Sequence, residues 1–125
     1  MALNSAMRFT KIIQSERQQL ILEYALNRLI ISPLAPYIDA VYLYGSCARG
    51  SEHWDSDVDL LVQFNMSLRD HPELKREMRL LKSQVTTDNI YDPETDLKIV
   101  VGNDWRHSNM PFFENVRKEG LLIWP

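Results

Sequence analysis

Apolar positions along the chain switch between two periods, and the switches mark its elements. Behind Ser15, the residues Leu20, Ile21, Tyr24, Ala25 and Leu29, with the neighbouring Leu22 and Leu26, form one broad helical face. The spacing predicts a helix over 16–31, with Leu20, Tyr24 and Leu29 supplying much of the core. Ser15 and Gln18 have the form of a capping box, and Pro33 and Pro36 end the helix. The apolar run Ala40-Val41-Tyr42-Leu43-Tyr44 then predicts a strand over 39–44, and Leu60-Leu61-Val62 a second over 58–63.

Further along, Asp70, Pro72 and Glu73 suit a helix start. The run to Lys82 places Leu74, Met78 and Leu81 on one face, with Lys75, Arg76, Arg79 and Lys82 on the other, a solvated helix face. Over Thr95–Val101 the period becomes two: Leu97, Ile99 and Val101 alternate with Asp96, Lys98 and Val100, a third strand. Asn109-Met110-Pro111 opens a last helix through Lys118, stopped by Gly120, and Leu121–Trp124 reads as a terminal strand. Residues 1–12 carry no strong pattern and are expected to be loosely held. No repeat or linker interrupts the series. The expectation is one domain over 1–125, a two-layer α/β (α+β in some schemes) fold. Its mixed sheet should hold about three to five strands, with helices mainly on one face.

Composition narrows the class. At 125 residues the chain is long enough for a real core. A formal net charge of −3 argues against non-specific nucleic-acid binding, and no base-specific reader is evident. A single cysteine, Cys47, excludes an internal disulfide and fits a reducing compartment. No membrane span or long apolar leader core is visible, so a cytoplasmic location is expected.

The chemistry concentrates in residues 45–62. Gly45-Ser46 closes the first strand, ten residues follow, and Asp57-Val58-Asp59 opens the second. Residues i and i+2 of a strand share a face about 6.6 Å apart, so Asp57 and Asp59 project together. Paired carboxylates repel unless a cation lies between them, and oxygen-only ligation suits Mg²⁺ or Mn²⁺ with substrate phosphates. Gly45 permits a tight turn and close backbone approach. If Ser46 starts a helix, its N–H and hydroxyl can meet an anion. Arg49 either contacts a phosphate or pairs with an acid to hold the loop. Asp96, at the head of the third strand, is the best third carboxylate, as metal ligand or proton acceptor. Lys98 shares its face and could neutralise phosphate charge, although a solvated Asp–Lys strand face is the simpler reading.

Other tempting residues have plainer explanations. Asp55 suits a loop acid or cap better than a rival pair with Asp57. Cys47 has no base nearby in sequence to make it a nucleophile. His53, His71 and His107 lack metal-ligand spacing and read as surface residues. Trp54 and Trp105 suit partial core burial better than stacking on a base.

The string Gly-Ser-x-Ala-Arg-Gly…Ser-Asp-x-Asp-Leu-x-Val resembles the minimal nucleotidyltransferase branch of the DNA-polymerase-β-like nucleotidyltransferase superfamily. The ending Val116–Trp124 resembles that branch's final helix and strand, and the similarity covers about residues 18–125. The resemblance implies transfer of a nucleoside monophosphate, usually AMP from ATP, with pyrophosphate released. It assigns metal binding to Asp57, Asp59 and Asp96, and triphosphate binding to Gly45 and Ser46. Many members of the branch resemble antitoxins that pair with an all-helical HEPN ribonuclease toxin and attach AMP to its tyrosine. A short chain has little room for an acceptor domain, so the acceptor site should come from a partner, a homodimer interface or the 64–95 segment. Two other readings stand beside this one. One is a non-catalytic nucleotide- or partner-binding module, which an Asp96 distant from the pair would favour. The other is modification of a small-molecule hydroxyl of aminoglycoside type, which would need a deep acceptor cleft.

Overall fold

A computed structural model describes residues 9–125. The expectation of a loosely held start lies outside the described residues for positions 1–8. At the end of that stretch the Ile12 N–H donates to Gln19 Oε1 at 3.0 Å.

Helix α1 spans Glu16–Ile31, β1 Ile38–Tyr44, α2 Ser46–Arg49 and β2 Val58–Phe64. Helix α3 spans Lys75–Gln84, β3 Thr95–Val101, α4 Pro111–Glu119 and β4 Leu121–Trp124, with short 3₁₀ turns between. The strands make one mixed sheet in the order β3-β2-β1-β4. β1 runs antiparallel to β2 and to β4, whereas β2 and β3 are parallel. Parallel neighbours need a crossover, which accounts for the long 64–95 segment. It supplies two 3₁₀ turns and α3, whose Leu81 is buried, with Leu74 and Met78 packed against the core.

The period-two pattern sorts side chains to the two sheet faces. Val41, Leu43, Val58, Leu60, Val62, Phe64 and Leu97 pack with α1 and with Leu81 and Val85 in the main core. The opposite face carries a smaller core of Tyr44, Leu61, Trp105 and Val116, with Tyr42, Phe112 and Phe113 against it. Thus α1 and α3 cover one face, and the short α4 with its preceding turn covers part of the other.

The stripe that α1 buries is rotated from the expected one. Leu20 is 49% exposed, whereas Gln18, Leu22, Ala25, Leu26 and Leu29 are fully buried. The sequence offers apolar residues on both sides of the helix, and only the sheet decides which side faces in. The capping box is also not formed as expected. Ser15 is the N-cap but makes no side-chain cap bond, and its hydroxyl contacts Gln18 Oε1. Gln18 Nε2 instead donates to the carbonyls of His53, Trp54 and Ser56 at 3.0, 2.8 and 3.3 Å. Burial of Gln18 is thereby matched by bonds that fix the loop leading into β2. No described helix is long and apolar enough to cross a membrane.

Candidate active site

β1 ends at Tyr44, and Gly45 turns the chain into α2 with φ +77°. A Cβ at Gly45 would collide with Asp59 Oδ2, so glycine is required both for the turn and for its approach to the acid. The turn meets α4 as well. The Gly45 N–H donates to Glu119 Oε1 at 3.1 Å, and Arg49 Nη1 lies 3.1 and 3.0 Å from the two Glu119 oxygens. Of the two roles open to Arg49, the structure shows the ion pair. The buried Cys47 points its Sγ to the Asp57 carbonyl at 3.4 Å, tying α2 to the entry of β2. Burial, reinforced by the Glu52 and Asp59 charges, pushes its thiol up to about 11, far from a thiolate nucleophile at neutral pH.

Register assembles the acids. Asp59 pairs with Tyr44 across the antiparallel ladder and with Asp96 across the parallel one. Tyr44, Asp59 and Asp96 therefore form one row on the face opposite α1, beside the smaller aromatic core. Asp57 stands two residues before Asp59, exposed at the mouth of the strand. Partial burial raises Asp59 to about 6, the Asp96 and Asp57 charges add to the rise, and Arg49 and Lys98 oppose it. The Tyr44 phenol is pushed well above its ordinary value, first by burial and then by the same two acids, Asp59 and Asp96. Lys98 Nζ stands 3.7 Å from Asp96 Oδ1, both side chains about half exposed.

This donor set fits a hard divalent cation. It is all oxygen, and a bound cation would relieve the like charge of Asp96 and Asp57 that adds to the effect of burial on Asp59. Among the described residues no three acidic, His or Cys side chains are already gathered as a metal cage. Mg²⁺ keeps waters and takes substrate phosphate oxygens, so a closed protein cage is not needed.

Some contributors have no local signature in the sequence. Glu119 grips the Gly45 turn from 74 residues away, and no periodicity could connect them. Gln18 is visible only as a cap residue. The two tryptophans separate: Trp105 is buried, with Nε1 donating to Gln63 Oε1 at 2.8 Å, whereas Trp54 is 71% exposed. The sequence expectation of partial core burial therefore fails for Trp54.

A strand-end carboxylate row beside a glycine–serine turn, on a mixed sheet, defines a class of domain suited to displacement at phosphorus. Residues 30–125 match the family model described as Polymerase beta, Nucleotidyltransferase, and the chain belongs to that family. It is a nucleotidyltransferase. Among solved structures, a candidate nucleotidyltransferase from Sulfolobus solfataricus superposes with a TM-score of 0.52 and 22% identity, over 87% of this chain and 84% of the other. A toxin–antitoxin structure with AMP-PNP matches at a TM-score of 0.46 and 19% identity, over 81% of this chain and 70% of the other. A search of curated proteins finds no significant match.

Proposed function

We propose that the protein transfers AMP from ATP to a hydroxyl of a partner protein in a Mg²⁺-dependent displacement. The carrying observation is the register that sets Asp96 beside Asp59, with the Gly45 turn stacked on the same carboxylate. Asp57, Asp59 and Asp96 are the residues that would hold Mg²⁺ or Mn²⁺, which supplies charge neutralisation at the triphosphate when bound. Gly45 and Ser46 face the triphosphate. Arg49, held by Glu119, fixes the turn and adds positive charge, and Lys98 adds more beside Asp96. The acceptor oxygen bonds to the α-phosphorus, the bond from that phosphorus to the β-phosphate oxygen breaks, and pyrophosphate leaves. Asp96 takes the hydroxyl proton.

A tyrosine of a HEPN-type toxin is the acceptor that the family resemblance suggests, with this chain as its antitoxin. The position of Asp96 next to Asp59 removes the argument that would have favoured a non-catalytic module. The test is label transfer from ATP marked at the α-phosphate, with Mg²⁺ and extract of the source cell, and Asp57→Asn in parallel. A labelled protein band that disappears in the variant and stays dark with γ-label is expected. Equal labelling by a folded Asp57→Asn protein would sink the site assignment.

A further inference from the structure

β2 and β3 are parallel, so the loops entering them lie at the same end of the sheet, beside the acid row. Both loops carry large apolar side chains in solvent: Trp54 is 71% exposed, Ile90 87% and Tyr91 77%. One guanidinium ties the two loops together. Arg17 Nε donates to the Trp54 carbonyl at 3.0 Å, its Nη2 donates to the Tyr91 carbonyl, and its carbon lies 3.9 Å from the Trp54 ring centroid. Gln18, next along α1, adds its own bond to the Trp54 carbonyl. Turns are dominated by Gly, Pro, Asn, Asp and Ser. Here α1 orders two loops that jointly hold an aromatic and aliphatic patch out in water.

The charge around the patch selects its occupant. Asp55, Asp88 and Glu94 are exposed on these loops, which carry no Lys or Arg themselves, and Arg17 of α1 bridges them. A nucleic-acid backbone would be repelled from such a rim, whereas a cationic polypeptide would be drawn to it. We infer that Trp54, Ile90 and Tyr91 are the docking surface for the acceptor, a protein segment bearing Lys or Arg beside its reactive hydroxyl. The apolar trio supplies the anchors and the acids supply the steering. This inference rests on the nucleotidyl-transfer reading of the acid row.

The test uses the full chain with Mg²⁺ and a non-hydrolysable ATP analogue. Two fluorescent tyrosine peptides of equal length, one rich in Lys and Arg and one rich in Asp and Glu, are titrated by anisotropy. The basic peptide should bind at least about tenfold more tightly, and added salt should weaken it. Trp54→Ser with Ile90→Ser and Tyr91→Ser should weaken it by at least about tenfold with unchanged affinity for Mg·ATP. Ile90→Ser alone, at the most exposed of the three positions, gives the same direction of effect if the triple variant folds poorly. Equal binding of the two peptides, no binding of either, or wild-type binding by the variants overturns the inference. So does a loss of nucleotide affinity alone, which would make Trp54 a base-stacking residue. Failure of the chemistry is read separately, from α-label transfer by the wild-type protein.

Discussion

At the scale of single residues, Gly45 and Asp59 constrain each other. Any side chain at position 45 meets the Asp59 carboxylate, and the backbone there has a positive φ. Gly45→Ala is expected to cost about 1–3 kcal/mol in thermal or denaturant unfolding and to depress nucleotidyl transfer. Asp59 carries a second, pH-dependent consequence. Its pKa rises on folding from 3.8 to about 6, so the folded state binds the proton more tightly. Asp59's contribution to the stability of the metal-free protein therefore falls as pH rises from about 4 to about 6, and its cost is fully present above that window. In EDTA, Asp59→Asn should raise stability at pH 7.5 by about 1–2 kcal/mol, discounted for partial exposure, with the gain vanishing near pH 4. Unfolding curves at the two pH values check it. A gain that persists unchanged in acid would refute the burial and charge argument.

At the scale of elements, α1 both builds the core and organises the site. Leu22 is fully buried and Leu20 half exposed. Leu22→Ala should cost about 2–5 kcal/mol, and Leu20→Ala less than about 1 kcal/mol. Reversal of that order in chemical denaturation would place the wrong face of α1 on the sheet. Gln18 reaches three carbonyls of the 53–56 loop from within the core. Gln18→Ala leaves those acceptors without their donor and should cost about 1–3 kcal/mol. Faster hydrogen exchange in residues 53–57, with α1 protection nearly unchanged, is the expected signature. The element boundaries were legible because strong period-two and period-3.6 runs are bounded by Pro, Gly and Asp. The inward face of α1 was not, because Leu20 and Tyr24 compete on equal chemical terms with Leu22 and Leu26.

At the scale of the whole molecule, helices from opposite ends of the described chain hold the two halves of the segment between β1 and β2. Gln18 of α1 holds the approach to Asp57, and Glu119 of α4 holds Gly45 and Arg49. The Arg49–Glu119 pair is partly exposed, at 52% and 24% of the side chains, so it adds little to stability. Glu119→Gln should thus change unfolding free energy by less than about 1 kcal/mol. It should still raise KM for the triphosphate, since the turn loses the charge that orients Arg49. A stability loss with unaltered KM would make Glu119 purely structural.

The local chemistry of the site was determined by the sequence alone. Gly45-Ser46 and Asp57-x-Asp59 lie within one strand–turn–strand unit, where the two-residue repeat of β2 dictates the face of Asp59 and Asp57 stands just before the strand. The strands themselves were equally readable, since short-range periodicity encodes them. Only the tertiary structure decided that β2 and β3 pair in parallel with Asp59 opposite Asp96. It alone brought Glu119 to the turn, and it alone left Trp54 outside while burying Trp105. These depend on contacts between residues tens of positions apart, set by strand register and by competition among faces of similar hydrophobicity. No local pattern carries that information.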